Sequence, residues 1–310
     1  MYKGLSIAAV VPAYNESKLI GKTILTMPDL VDHIIVINDS STDDTSAQAR
    51  AVGDNRVVVI DHRVNTGVGG AIIDGHIRAL ELGADVNVVM AGDAQMDPAY
   101  LPDLLDPLCD QGYEFTKANR FYSATSYSGM PLVRMVGSIL LSFATKAASG
   151  YWNLFDPQNG YTATRRSALH RLPLRRIALG YPFENDFLIW LNIANVRAKD
   201  VPIPALYGDA VSSMRIGRVI WPIGRLLFTG FWRRMLLKHV LQSFSAVALL
   251  FFTGLALFTL GVAVGVWVLA ESVGPASATT GTVLLSAGPM LTGIHMLVNA
   301  MLLDIQSTPG

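Results

Sequence analysis

From Ser243 to Ala270 the chain reads SFSAVALLFFTGLALFTLGVAVGVWVLA without one charged residue, a run longer than the roughly 20 residues that cross a bilayer as a helix. Nothing else in the sequence restricts the fold as much, because a lone segment in hydrocarbon can satisfy its own backbone polar groups only as a helix. A second stretch, Thr280 to Leu303, TGTVLLSAGPMLTGIHMLVNAMLL, is uncharged apart from the titratable His295, although Gly, Ser, Thr and Pro289 dilute it. Two spans, about 243–270 and 280–303, are therefore expected to form a transmembrane hairpin over 243–305. Only 15% of residues are charged, against roughly 25% in a soluble domain, and the deficit is concentrated in these two runs.

The connection ESVGPASATTG holds no Lys or Arg, whereas FWRRMLLKHV before the first run supplies Arg233, Arg234 and Lys238. The positive-inside rule then puts residues 1–242 on the cytoplasmic face and returns the C-terminus there, giving a multi-pass membrane protein. No charged region followed by an apolar core opens the chain, so no signal peptide is expected. The single Cys109 excludes an internal disulfide and fits a reducing compartment. With 24 basic and 24 acidic residues, no bulk charge points to nucleic acid. Residues 212–242 mix Arg215, Arg218, Arg225, Arg233 and Arg234 with Trp, Ile, Leu and Phe, the composition of amphipathic helices at an anionic membrane surface. A plain linker helix with snorkelling arginines is the alternative. Gly254, Gly261 and Gly265 permit close helix contact within one chain or between copies, which leaves a homo-oligomer open.

In residues 1–211, short β-branched runs alternate with helical patterns: LSIAAVVPAY, HIIVIND, RVVVID and VNVVMAG. That alternation predicts an α/β domain with a mostly parallel sheet and helices on both faces. Ser17, Asp43 or Asp44, and Asp97 signal helix starts, a helix is expected near 99–111, FTKANRF reads as a strand, and MPLVRMVGSILLSFATKAAS has helical spacing. Asn15, Asp39, Asn65 and Asp93 all end or follow strands, so the functional edge is expected where they fall.

Four turns carry the chemistry: VVPAYNES, VINDSSTDDT, NTGVGGAIIDG and MAGDAQMDP. Each puts small and polar side chains directly after a strand. Gly67, Gly69 and Gly70 alone are an unconvincing phosphate loop, lacking a third fingerprint glycine and a Walker lysine. In order, however, the four suit a nucleotide lying across strand ends, with Asp39 meeting base or ribose donors and a cation near Asp93 and Gln95 meeting a diphosphate. Asp97 before Pro98 reads instead as a helix N-cap.

As an ordered set these motifs resemble glycosyltransferase family 2, of the GT-A fold and the dolichyl or polyprenyl phosphate sugar synthase kind. Val11-Pro12-Ala13-Tyr14-Asn15-Glu16 matches the opening motif, Asn38-Asp39-Ser40-Ser41-Thr42-Asp43 the nucleoside turn, and Asp93-Ala94-Gln95 the DxD region. Asn119-Arg120-Phe121 with Arg134 matches a later segment, and DPQNGY and YPFENDF resemble acceptor-side and helix motifs. The resemblance implies a membrane-anchored inverting transferase that moves a hexose from a UDP- or GDP-linked donor to a polyprenyl phosphate, leaving a β-linked product. It assigns the nucleotide sugar to Pro12, Tyr14, Asn15, Glu16, Asp39, Asn65, Gly67, Asp93, Ala94 and Gln95. It assigns the acceptor phosphate to Arg120, Arg134, Ser138, Arg215 and Arg218, with Asp93, Arg120 and Arg134 as the catalytic set. Guanidinium forks suit that task because they bind phosphate bidentately.

The family often has aspartates where Asn38 and Ala91 stand and a basic residue where Val68 stands. Asp93 and Gln95 then remain as the protein ligands of Mg2+ or Mn2+, which Mg2+ tolerates because water and substrate phosphates complete its octahedron. A phosphate acceptor is already an anion and hardly needs a base; if the acceptor were a lipid or glycan hydroxyl, Glu184 or Asp186 would serve. A site made degenerate at Ala91 would instead mark a membrane scaffold. Asp39 and Asp43 also fit turn and cap roles, Arg134 could merely snorkel, and His295 is expected to be neutral and hydrogen-bonded between helices.

Overall fold

In a computed structural model, residues 1–120, 132–157, 159–204, 216–272 and 279–309 are described; the side chains of residues 132–135, 138, 216–219 and 272 lie outside that set. The chain divides into two compact units, Met1–Phe231 with Pro309–Gly310, and Trp232–Thr308.

The first unit is built on a seven-stranded sheet of order β3-β2-β1-β4-β6-β5-β7. Its strands are β1 (Ile7–Ala13), β2 (His33–Asn38), β3 (Val57–Asp61), β4 (Val86–Val89), β5 (Phe115–Asn119), β6 (Thr162–Arg165) and β7 (Ala198–Pro202). The expected runs form β1 to β4, all mutually parallel, with Val10 opposite both Ile35 and Val89. Helices cover both faces, which is why β1 and β2 could be near-continuous apolar runs and bury Ile7–Val11 and Ile34–Ile37 completely. The edge strands are more polar: β3 is only partly buried, and β7 carries Lys199 and Asp200. Two strands were not legible in the sequence. TATR forms β6, which runs antiparallel between β4 and β5, and AKDVP forms β7, parallel to β5.

The helices of this unit are α1 (Ile20–Leu25), α2 (Thr45–Ala51), α3 (Val68–Glu81), α4 (Leu101–Asp110), α5 (Leu132–Ser149), α6 (Arg166–His170) and α7 (Phe183–Ile193). α8 (Ile216–Arg234) begins in it and crosses the division. α3 lies so close to the sheet that a Cβ on Gly75 would fall 2.1 Å from Val10 Cγ1. Glycine at that point lets the helix touch the strand.

In the second unit a π-helical segment, Met235–Gln242, leads to α9 (Ala246–Ser272) and α10 (Thr280–Gln306). Both are long and apolar enough to cross a membrane. Their glycines are used within the chain: a Cβ on Gly261 would sit 2.6 Å from Met290 N, and one on Gly293 2.5 Å from Phe258 N. Two expectations fail here. His295 lies exposed on α10, with no hydrogen bond to a described residue, because the small residues that bring the helices together occupy another face. Arg234, read as part of an interfacial basic stripe, is 1% exposed and grips Asp304 through Nη1 (2.6 Å) and Nη2 (3.0 Å), with His239 Nε2 3.3 Å from the same carboxylate. Neither a lipid headgroup nor snorkelling satisfies Arg234; the buried Asp304 does.

Candidate functional site

The strand order reverses between β1 and β4, and the crevice outside the strand C-termini at such a switch point is where open α/β sheets bind ligands. The sequence turns there are laced together. Asn15, in the left-handed region at φ 57°, receives Thr42 N on its Oδ1 (2.9 Å) and donates its own N to Ser41 Oγ (2.9 Å). Glu16 N donates to Thr45 Oγ1 (2.8 Å) and Ser17 N to Asp43 Oδ2 (3.1 Å). Asp43 also accepts from Thr45 N and Oγ1, and hydrogen bonds from Thr45 and Ser17 pull its carboxyl down to about 2. It fastens the β1 turn to the first residue of α2 from one position ahead of the N-cap, Asp44. Ser17 caps nothing, since α1 begins at Ile20 behind Leu19.

On the other side of β1, Gly92 N donates to Pro12 O (3.1 Å) and Thr23 Oγ1 donates to Gly92 O (3.0 Å). Asp93 Oδ1 accepts Gln95 N (3.1 Å) around Ala94, whose φ is 54°, and both Asp93 and Gln95 remain partly exposed. Asp97 accepts Ala99 N (2.9 Å) ahead of Pro98 and is the expected cap. Burial, reinforced by Asp93 and then Asp43, pushes the Glu16 carboxyl up. That local surplus of negative charge, with the hard oxygen donors of Asp93 and Gln95, fits a divalent cation. Among the described residues no three His, Cys, Asp or Glu side chains gather around one point, so the remaining ligands would have to be diphosphate and water.

Asp39 is placed differently from expectation. It is 3% exposed, and its carboxylate accepts from Thr66 N (2.8 Å), Thr66 Oγ1 (2.9 Å), Gly67 N (2.8 Å) and His62 Nδ1 (2.8 Å). Burial opposes ionisation, yet the bonds from Thr66, His62 and Gly67 hold the carboxyl below its ordinary value. Here Asp39 organises the 62–67 turn, and Asn65 Nδ2 adds a bond to its carbonyl (3.0 Å). His62 escaped the sequence reading; its only signal is its place, directly after β3 and three residues before Asn65. Its other nitrogen is 3.3 Å from Asp74.

The glycines of this turn serve packing. Gly70 N donates to Leu179 O (3.1 Å), and a Cβ on Gly69 would fall 2.7 Å from both Leu179 O and Phe183 Cβ. The start of α3 is therefore covered by the 178–183 segment. Asp186, a candidate base, is 2% exposed and accepts Ala178 N (2.9 Å), which ties that covering segment down. A carboxylate so engaged is a structural anchor. Glu184, two residues earlier in the first turn of α7, lines a small cavity with Lys117, His76, Thr162 and Phe187, and burial pushes its carboxyl up.

Because β6 is antiparallel to both β4 and β5, the end of β5 lies on the same sheet edge as the end of β4. Two strand spacings separate them, about 10 Å. Arg120 stands there and directs its fork at Asp156: Nε to Oδ2 at 2.7 Å and Nη2 to Oδ1 at 3.1 Å. The side chains of Arg134 and Ser138, on α5, and of Arg218, on α8, lie outside the described residues, as do Arg215 and Gln158.

The family model for glycosyl transferase family 2 matches residues 8–172. The UDP-N-acetylglucosamine–dolichyl-phosphate N-acetylglucosaminyltransferase of Methanococcus voltae is 31% identical over 247 residues, covering 75% of this chain and 96% of that protein. The undecaprenyl-phosphate mannosyltransferase of Micrococcus luteus is 28% identical over 221 residues, 70% of this chain and 90% of its own length. Among solved structures, glucosyl-3-phosphoglycerate synthase from Mycobacterium tuberculosis, in complex with Mn2+, UDP and glucosyl-3-phosphoglycerate, superposes with a TM-score of 0.53 at 25% identity, over 74% of this chain and 80% of that one.

Proposed function

Since this chain belongs to glycosyltransferase family 2, a family of enzymes on the GT-A fold, we propose that it transfers one hexose from a nucleoside diphosphate sugar to a polyprenyl phosphate, with inversion to a β-linked product. The observation that carries this reading is the single sheet edge that holds the β1 to β4 turns and, two strands away, an arginine fork at the end of β5. An edge that spans about 10 Å suits a diphosphate at one end and a second phosphate at the other. The Methanococcus voltae and Micrococcus luteus relatives, named for dolichyl and undecaprenyl phosphate, match this chain over nine-tenths or more of their own length, which favours the lipid phosphate over other acceptors.

In this reading the nucleoside lies over the laced β1–β2 turns, where Tyr14 is half exposed, and the loop that Asp39 organises closes its far side. Asp93 and Gln95 would hold Mg2+ or Mn2+, whose chemistry there is neutralisation of the leaving diphosphate. Arg120, with Arg134 and Ser138, binds the acceptor phosphate and offsets its repulsion from the donor. Arg215 and Arg218 close over the phosphates. An in-line approach from the face opposite the diphosphate inverts the anomeric centre. α9 and α10 anchor the enzyme as a membrane hairpin with residues 1–242 on the cytoplasmic face.

The test is transfer of label from a panel of UDP- and GDP-sugars into chloroform-soluble product by the purified full chain, with polyprenyl phosphate and Mg2+ or Mn2+. One donor class should label the lipid; no labelled lipid with any donor rejects the reading. One observation favours a hydroxyl acceptor instead: burial pushes the Glu184 carboxyl up, as a general base needs. In that case Glu184→Gln abolishes transfer while Arg120→Ala spares it.

A further inference from the structure

The candidate acceptor arginine does not project freely. Asp156, itself 1% exposed, accepts Arg120 Nε, Nη2 and also the Arg120 backbone N (3.3 Å), so both the fork and the end of β5 are fixed by one buried carboxylate. The turn that carries Asp156 is fastened in its turn from the two strands beneath it. Asp200 on β7 accepts Phe155 N (2.6 Å), one residue before Asp156, and Lys117 on β5 donates to Asn159 O, three residues after it. Lys117 and Asp200 face each other in the β5–β7 register, and Lys117 is 1% exposed. From α5, Ser142 Oγ donates to Phe155 O (3.0 Å) and Lys146 Nζ donates to Trp152 O (2.9 Å). A buried ammonium is costly to desolvate, and here it and the partly buried Asp200 are spent on holding the backbone on either side of Asp156, whose outward product is the direction of one guanidinium.

Building on the proposed lipid-phosphate reading, we propose that Asp156 is a positioning residue for the acceptor site: it holds Arg120 as a preoriented fork, and Lys117 and Asp200 hold Asp156. Nε and Nη2 both point at Asp156, so that carboxylate sets the plane and direction of the guanidinium. A guanidinium held this way loses little further rotamer freedom when the phosphate arrives. The charges around this turn are consistent with a held geometry: burial pushes the Asp200 carboxyl up to about 6 and Lys117 down, each partly offset by the other.

Steady-state kinetics of the full chain in detergent, with lipid phosphate and donor varied separately, tests this. Asp156→Asn keeps the shape but loses the charge and one of the two acceptor oxygens; it should raise KM for the lipid phosphate about tenfold or more, with KM for the donor unchanged within about twofold and Tm within a few degrees. Asp156→Glu, which restores the charge, should recover part of that loss. Lys117→Met and Asp200→Asn should move KM for the lipid in the same direction by less. A lipid KM that falls in Asp156→Asn would mean the carboxylate only competes with phosphate for the arginine and would overturn the proposal. Equal loss against lipid and donor would overturn it too, since that is the signature of a merely structural residue. Should the wild-type chain label no polyprenyl phosphate at all, the reading beneath fails and the positioning role falls with it; a wild type that labels the lipid with an indifferent Asp156→Asn refutes the positioning role alone.

Discussion

At the residue scale, carboxylates that look alike in the sequence divide by what their oxygens touch. Asp93 keeps an exposed edge beside Glu16 and Gln95, whereas Asp97, four residues on, is spent on Ala99 N. Asp93→Asn should therefore cut transfer by at least about 100-fold through lost metal affinity. Asp97→Asn, which replaces one good N-cap with another, should leave activity intact and stability within roughly 0.5 kcal/mol. Comparable losses in both variants would remove Asp93 from the metal. His76 offers a second check. It is fully buried, stacked on Phe187 with ring centroids 5.9 Å apart, and takes Asn87 Nδ2 at 3.3 Å on its Nδ1. Burial depresses it to about 4, so the folded state stays neutral while the unfolded chain takes up a proton below about 6.5. Stability it confers is complete above pH 6.5 and lost as pH falls towards 4, by about 3 kcal/mol. Thermal unfolding in detergent across that window should show the advantage of wild type over His76→Gln at pH 7 shrinking by pH 4.5. A gap independent of pH would contradict the neutral buried imidazole.

At the element scale, fused helices and strands were legible where one periodicity ruled and illegible where tertiary pairing did. The runs AAVV, IIVI, VVVI and VNVV announce a parallel sheet because both of its faces are covered. TATR and AKDVP have too little apolar content to announce strands, and become β6 and β7 only because neighbours supply ladder partners. Site residues follow the same division. The turns after β1, β2 and β4 were placed correctly by order alone, but what Asp39 and Asp186 bind depends on backbone donors from distant turns, Thr66, Gly67 and Ala178, which no spacing reveals. Glycines behave likewise: a stripe in the sequence says that something approaches closely, not what. In the hairpin it is the opposite helix, and the consequence is directional. Gly293→Ala puts a methyl 2.5 Å from Phe258 N, while Gly288→Ala on the same helix meets nothing within 4 Å. The first should destabilise the hairpin by roughly 1–3 kcal/mol and the second should not; Tm values in detergent compare them, and equal values would refute the close α9–α10 packing.

At the scale of the whole molecule, a GT-A unit and a unit of two apolar helices occupy one chain, and a lipid acceptor gives that combination a reason. On the proposed reading, an enzyme whose acceptor is a polyprenyl phosphate must meet it where its phosphate leaves the bilayer, and two helices long and apolar enough to cross a membrane would keep it at that surface. The central claim concerns the acceptor group: a phosphate, held by an arginine fork, in place of a hydroxyl activated by a base. It is tested most directly by offering the purified full chain, with the donor it accepts, polyprenyl phosphate and the corresponding polyprenol in the same detergent, and counting label in the organic phase. The account predicts labelled lipid from the phosphate alone, lost in Arg120→Ala and retained in Glu184→Gln. Label in the polyprenol that disappears with Glu184→Gln would contradict it and make the enzyme a hydroxyl transferase.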